Sequence, residues 1–136
     1  MKEYIEVGKL NRKIFDKINK SIITDEVIFT YERVNHVEAK RFKLFDEVRN
    51  FLPEVLFNPD RIYKDWNNRD NTIVIIKKMD ENAKLNVVVK IALENDEKHP
   101  KNSIITMMKI GEKTFKKIDN NKKNNLLYDK KLDKNE

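Results

Sequence analysis

Apolar and polar positions follow two different spacings along the chain, and the change between them separates a helical part from a strand part. From Tyr31 to Asn58 the apolar residues recur every three or four positions, which predicts an amphipathic stretch of two helices. Pro53 is expected in the first turn of the second helix. Asn58 should end the region, because a residue before proline, here Pro59, disfavours the α conformation.

The N-terminal segments carry weaker signals. YIEVG at 4–8 alternates weakly and is expected to form a short strand or arm, and Leu10 to Ile18 has the spacing of a short helix. IITDEVIFT at 22–30 has the β-branched and aromatic content of a short strand.

Downstream of the Pro59 turn, the chain reads as four or five strands separated by polar turns. The strand segments are RIYKDW, NTIVIIKKM, KLNVVVKIAL, NSIITMMKI and NNLLYDKK. Most connections are too short for crossover helices, so the strands should form an antiparallel meander. Residues 111–123 are the exception, since Phe115 and Ile118 allow one or two helical turns.

Helices followed by strands predict an α+β fold, in which N-terminal helices pack on a twisted antiparallel sheet of four or five strands. The two most apolar segments, NTIVIIKK and LNVVVKIAL, should lie in the middle of the sheet. At 136 residues the chain is expected to form a single domain over 1–130, with a charged, flexible tail at 131–136.

The amino-acid composition limits the kinds of site and the cellular location that we expect for this chain. The chain has no cysteine, which excludes a disulfide scaffold, a thiolate nucleophile and a thiolate metal site. The charged N-terminus does not resemble a signal peptide, and no apolar run approaches the roughly 18 residues of a membrane span. We therefore expect a cytoplasmic protein without a membrane partner.

The formal net charge of +6 favours a polyanionic partner, above all a nucleic acid. A lysine-rich and asparagine-rich composition is also typical of AT-rich genomes, which would give a basic surface without a function. Charge alone leaves both explanations open.

Several kinds of active site are missing from the sequence. It contains no glycine-rich phosphate loop, no histidine pair at ligand spacing and no serine elbow. Asp60, Asp65 and Asp70 lie in or beside turns without evident convergence, so neither a metal site nor a cofactor is expected. If the partner is a nucleic acid, RNA cleavage is the plausible reaction, because RNA carries its own nucleophile in the 2′-hydroxyl group.

His36 is the candidate general base for such a reaction. It lies on the polar side of the first predicted helix, with Glu32 and Lys40 each one turn away, and a neutral imidazole accepts a proton near pH 7. The alternative is a helix-surface histidine without a role. His99 is expected to be an ordinary loop residue.

Lys90 is the second candidate, because it interrupts the apolar segment VVVKIAL. An amine without a partner would be costly in a central strand. Either its side chain reaches solvent at the end of the strand, or it projects from the sheet into an anion-binding site.

The segment NSIITMMKI raises a question of strand parity. In a regular strand Ser103 lies on one face, whereas Asn102 and Thr106 lie on the other. Ser103 and Thr106 can therefore line one pocket only if a bulge intervenes. Otherwise only one of the two hydroxyl groups acts.

Several short sequence segments follow one another along the chain in this order: ERVNH at 32–36 with Arg41, LPEVLFNPDRIYKD at 52–65, LNVVVKIAL, KNSIIT and LLY. Together they resemble the phage-associated branch of the barnase–EndoU–colicin–RelE-like (BECR-fold) nucleases, small metal-independent ribonucleases of phages, mobile elements and toxin systems. The resemblance covers about residues 5 to 130, and its specificity lies in the combination rather than in any one string.

The resemblance implies N-terminal helices on a four-stranded antiparallel sheet, with an active site on the open face of the sheet. It implies that this site contains a helix histidine, a basic strand residue, a hydroxyl residue and a tyrosine of the last strand, which here are His36, Lys90, Ser103 or Thr106, and Tyr128. Arg33 and Arg41 would contact phosphate, and we add Asn102, at the polar start of its strand, as a substrate contact.

The chain departs from the family in two places. Family members often have Arg-His-Pro where this chain has Arg41-Phe42-Lys43, so a second histidine is absent. Lys90 stands where arginine is common, which keeps the charge but loses the bidentate phosphate contact.

The sequence thus predicts a metal-independent endoribonuclease of phage or mobile-element origin that cleaves RNA by 2′-hydroxyl transesterification. The missing second histidine favours an alternative, a catalytically inactive RNA- or protein-binding module such as a counter-defence or toxin-like factor. RNA is the expected partner in the first case, and a protein partner or cognate inhibitor is a further expectation. A purely structural phage component is the third interpretation.

Overall fold

The computed structural model describes residues 4–18, 22–30, 39–67, 69–92 and 101–132, except for the side chains of 39–42. The helices in these ranges are α1 (Arg12–Ile18), α2 (Ala39–Val48), α3 (Leu52–Phe57) and α4 (Glu112–Asn121). The strands are β1 (Tyr4–Lys9), β2 (Glu26–Thr30), β3 (Arg61–Lys64), β4 (Thr72–Lys78), β5 (Lys84–Lys90), β6 (Asn102–Ile110) and β7 (Leu126–Asp129). A 3-10 turn, Lys123–Asn125, precedes β7.

All seven described strands belong to one sheet, in the order β1-β2-β6-β5-β4-β3-β7. Neighbouring strands are antiparallel, except that β2 runs parallel to β6. The central strand is β5, whose residues Leu85 to Val89 are all buried. Burial on both faces explains why this segment is apolar at nearly every position.

One face of the sheet, here named the three-helix face, packs against α1, α2 and α3. The helices contribute Ile14, Phe15, Phe45, Val48, Leu52, Val55 and Leu56 to this core, and the central strands contribute Ile73, Ile75, Leu85, Val87, Val89, Ile104 and Met107. The core explains the spacing of apolar residues in the helical part of the sequence, because one side of each helix is buried.

The local signals around α3 are confirmed. Pro53 lies in its first turn, and the helix ends at Phe57, directly before Asn58 and Pro59. Gly8, at a bulge in β1, has a φ of +153°, and a Cβ atom there would lie 3.0 Å from the Cα atom of Pro53. Glycine therefore permits the close approach of β1 to α3.

The opposite face, here named the α4 face, is covered in part by α4. Phe115 and Ile118 pack against a second core of Tyr63, Val74, Ile76, Val88 and Ile110. The sequence allowed only one or two helical turns here, and this expectation was too short, since α4 has 10 residues. Arg61 explains part of the difference: its guanidinium lies 5.1 Å from the Phe115 ring centroid and forms an ion pair with Asp119 of α4.

The predicted α+β class is confirmed, but two details of it were wrong. The sheet has seven strands in the described chain rather than four or five, and the helices are not all N-terminal, since α4 follows β6 and covers the second face of the sheet. The sequence predicted β1 as a strand or arm and β2 as a short strand but did not place either in the sheet. They pair with each other, and β2 joins β6 through only Val27 and Ile28. Segments of 5 or 6 residues give too short an alternation to reveal their place in a sheet.

Candidate functional site

A bulge in β6 decides which side chains reach the α4 face. Ser103 lies opposite Lys90, Thr106 lies opposite Val88, and Ile105 is the extra residue between the two registers. An extra residue shifts the alternation of a strand by one position. Ser103 and Thr106 therefore lie on the same face, which a regular strand would not allow.

Lys90 lies on this same face, as the last residue of β5, and is half-buried. It forms a cross-strand pair with Ser103, and it is two residues from Val88, the partner of Thr106. None of the ion pairs in the described ranges uses Lys90. The α4 face thus presents one ammonium group and two hydroxyl groups within two positions along the strands.

A second lysine near this end of the sheet is neutralised. Lys101 forms an ion pair with Glu26, and its Nζ lies 5.6 Å from the centroid of the Tyr4 ring. The hydrogen bond from Lys101, together with its charge, lowers the pKa of the Glu26 carboxyl, and the same hydrogen bond raises the pKa of Lys101. Lys101 is therefore engaged within the fold, in contrast to Lys90.

Asn102, predicted as a substrate contact, is fully buried, with 0% of its surface exposed. Its Nδ2 donates hydrogen bonds to the carbonyl oxygens of Thr24 and Glu26, at 2.8 and 3.0 Å, and its Oδ1 accepts one from the Ala92 N–H at 2.8 Å. These are backbone groups at the ends of neighbouring strands, so Asn102 fastens β6 to its surroundings.

Tyr128 is not brought together with Lys90. It pairs with Ile62 of β3 and packs against the core of the three-helix face, on the other side of the sheet. The strands β4 and β3 also separate β7 from β5. The fold therefore gives no shared site to Tyr128 and Lys90.

The remaining predicted residues lie wholly or partly outside the described residues. His36 and Arg33 belong to 31–38, and His99 belongs to 93–100. Arg41 is part of α2, but its side chain is not described. The predicted meeting of His36 with Lys90 therefore stays a prediction.

A cavity of about 320 Å³ opens on the α4 face beside these hydroxyl groups, and we name it the α4 cavity. Strands β4 to β6, helix α4 and the turn after β3 enclose it; Trp66, Arg69, Asn86, Thr106, Thr114 and Ile118 are among its lining residues. The Trp66 ring makes an edge-to-face contact with Tyr63, with centroids 5.9 Å apart. Thr106 thus connects the cavity to Lys90 and Ser103.

Asn86 is the unusual member of this lining. Only 7% of the residue is exposed, and its Oδ1 has no hydrogen-bond partner. Its strand neighbours are Ile76 and Met108, whose side chains offer no hydrogen-bond donor. The sequence analysis missed Asn86, although it interrupts the apolar strand LNVVVKIAL just as Lys90 does.

Asp65 holds the turn that carries Trp66. Its side chain is 1% exposed and accepts hydrogen bonds from the Arg69 side chain, at 2.7 Å from Nε, and from the backbone N–H groups of Asn67 and Arg69. Burial acts to raise the pKa of Asp65, but these hydrogen bonds outweigh it and lower the pKa below its ordinary value. Asp65 is therefore ionised, and it fixes this wall of the α4 cavity.

Comparison with protein-family models, curated proteins and solved structures finds no match to this chain. Within the described ranges, no three histidine, aspartate or glutamate side chains group in a way that could hold a metal ion. No described helix is long and apolar enough to cross a membrane.

Proposed function

We propose that the protein is a metal-independent endoribonuclease whose phosphate-binding site lies on the α4 face. The bulge in β6 carries the proposal, because it sets Ser103 and Thr106 on the same face as Lys90. A cation beside two hydroxyl donors is suited to the charge that develops on the two non-bridging oxygens of a phosphorane-like transition state. The net charge of +6 supports a polyanionic substrate.

The proposed reaction uses the nucleophile of the RNA itself. The 2′-oxygen attacks the adjacent phosphorus, a bond forms between them, and the bond from phosphorus to the 5′-oxygen breaks. The products are a 2′,3′-cyclic phosphate and a 5′-hydroxyl group. The proton of the 2′-hydroxyl passes to a general base, and the departing 5′-oxygen receives a proton.

The residue roles follow from the face that each side chain occupies. Lys90 stabilises the phosphorane and donates a proton to the departing 5′-oxygen. Ser103 and Thr106 donate hydrogen bonds to the phosphate oxygens. His36 is assigned as the base from the sequence, since it lies outside the described residues. Tyr128 has no role in the proposed step, because it lies on the three-helix face.

Cleavage of a mixed RNA pool in the presence of a chelator tests the proposal. The protein should cut the pool, and Lys90→Ala should slow cutting about 100- to 1,000-fold, as removal of a group that stabilises transition-state charge does. Lys90→Arg should keep the phosphate contact but cut RNA slowly, because arginine retains the charge and does not release a proton to the 5′-oxygen. His36→Ala should also be slow, and Lys116→Ala, an exposed change on α4, is the matched control. An uncut pool, or equal rates for Lys90→Ala and Lys116→Ala, would contradict the proposal.

The second candidate is an RNA-binding or protein-binding module without catalytic activity, on the same fold. One observation favours it. Phe42 stands where the BECR-fold nucleases that the chain resembles often have histidine, so a second histidine for an acid–base pair is absent there. Salt-dependent RNA binding without any cleavage would support this candidate over the enzyme.

A further inference from the structure

We propose that the α4 cavity binds a single nucleobase, and that the side chain of Asn86 selects it by hydrogen bonding. The inference rests on the proposed function for the nature of its ligand, and it adds a base-binding subsite to the phosphate site of Lys90, Ser103 and Thr106. Among the described residues that the sequence singled out for catalysis, Thr106 is the one that lines this cavity.

The carboxamide of Asn86 is the first observation. A buried polar atom without a partner is destabilising, so native proteins seldom leave one unpaired. Ile76 and Met108 flank Asn86 within the sheet, and the α4 cavity is the side from which a partner can approach. The terminal torsion of an asparagine side chain is soft, so rotation can turn either its carbonyl oxygen or its N–H group toward a ligand.

The shape and lining of the cavity are the second observation. Its volume of about 320 Å³ lies at the lower end of the range of about 300–1,000 Å³ found for ligand cavities. The walls are mainly apolar, with Trp66 and Ile118 among them, and a few polar groups interrupt them. Proteins that bind single-stranded RNA hold bases in this way, with an aromatic ring for stacking and polar groups for the base edge.

The third observation is the position of the cavity relative to the proposed phosphate site. Thr106 belongs to both, and Val88, which lies opposite it, is two residues from Lys90. Two residues of extended strand span about 7 Å. A nucleotide whose phosphate contacts Lys90 and Ser103 can therefore place its own base in the cavity.

Trp66 supplies the measurement, because it is the only tryptophan of the chain and lines the cavity. Adenosine, guanosine, cytidine and uridine are titrated separately against the full-length protein while tryptophan fluorescence is recorded. At least one nucleoside should change the fluorescence with saturation. Asn86→Leu should weaken that binding about tenfold, the effect of losing one well-formed hydrogen bond, without lowering stability.

Two further variants guard the interpretation. Thr114→Phe, an exposed position at the cavity, should block the response by filling the space, and Asn120→Leu, an exposed asparagine elsewhere on α4, should leave it unchanged. Ribose 5-phosphate should give no response. The base-binding subsite is overturned if no nucleoside gives saturation, if Asn86→Leu binds as well as the wild type, or if ribose 5-phosphate produces the same response.

The outcome separates this inference from the proposed function. A protein that cuts RNA but shows no nucleoside response contradicts only the base-binding subsite. A protein that binds a nucleoside through Asn86 but leaves RNA uncut contradicts only the ribonuclease proposal.

Discussion

In the part of the chain that the structure describes, the buried polar or charged residues are Asp65, Thr72, Asn86 and Asn102. Three have clear partners: Asp65 binds Arg69 and two backbone N–H groups, Thr72 donates to the Asp70 carbonyl, and Asn102 bonds three backbone groups. Asn86 alone among these four retains an unpaired oxygen. Buried polar groups that serve only the fold normally have hydrogen-bond partners, so the unpaired oxygen makes Asn86 a candidate contact for a ligand.

Asp65→Asn should lower the free energy of unfolding by about 1–3 kcal/mol at neutral pH, because charged hydrogen bonds in a buried site are lost. The pKa of Asp65 is lowered in the folded state, so its contribution is complete above the ordinary aspartate pKa. The contribution disappears as the pH falls through the lowered pKa. The difference in stability between wild type and Asp65→Asn should therefore shrink on acidification.

Urea unfolding measured from about pH 7 down to about pH 2.5 checks this expectation. Asp70→Asn is the matched control, since Asp70 is an exposed aspartate of the same turn. A stability difference for Asp65→Asn that stays constant over the whole pH range would contradict the assignment of the Asp65 hydrogen bonds.

At the scale of elements, α4 and the bulge in β6 together shape the candidate site. Two cations lie over the Phe115 ring of α4. The Cζ atom of Arg61 is 5.1 Å from the ring centroid, and the Nζ atom of Lys84 is 4.7 Å from it. These cations extend the small apolar side of a helix that has no fully buried residue. The helix therefore rests on few contacts, and we expect it to open before the central sheet does.

Phe115→Ala should release α4 selectively, by removing both its apolar contact and the ring beneath the two cations. The free energy of local opening should fall by about 1–3 kcal/mol, less than for a fully buried phenylalanine. Amide hydrogen exchange should lose protection over 112–121 while β4 and β5 keep theirs, and Lys116→Ala should change neither. Loss of protection spread evenly over the sheet would contradict a locally anchored helix.

The elements also show what the sequence could predict and what it could not. Strand parity correctly posed the alternative for Ser103 and Thr106, but no residue type in NSIITMMKI marks Ile105 as a bulge. The choice depends on pairing with β5, which is a contact between distant parts of the chain. For the same reason, the sequence could not show that Tyr128 would lie on the three-helix face.

At the scale of the molecule, the α+β class followed from the order of helical and strand spacings, because each spacing reports a buried side. The sheet order did not follow, since β1 and β2 join the sheet by tertiary pairing rather than through a strong local pattern. The net charge of +6 is also a property of the whole molecule. The proposed RNA binding should depend on salt, because each cation that neutralises a phosphate releases a counterion.

Binding of a 2′-O-methyl RNA, which lacks the nucleophile, should weaken linearly in a plot of log affinity against log salt. Each neutralised phosphate of a single strand contributes about −0.7 to the slope. Lys90→Ala should reduce the magnitude of the slope by about that amount, whereas Lys13→Ala, an exposed change on α1, should leave it unchanged. Equal slopes for Lys90→Ala and the wild type would argue against Lys90 as a phosphate contact.

The 2′-hydroxyl group at a cleaved linkage provides the most direct test of the ribonuclease proposal. An RNA is cut in chelator, the cut linkage is mapped, and a second RNA is made with a single 2′-deoxy nucleotide on the 5′ side of that linkage. The cut should disappear there and persist at other linkages, and the fragments of the first RNA should end in a 2′,3′-cyclic phosphate. Cleavage that continues at the deoxy position, fragments with a 5′-phosphate, or no cleavage of either RNA would contradict the proposal.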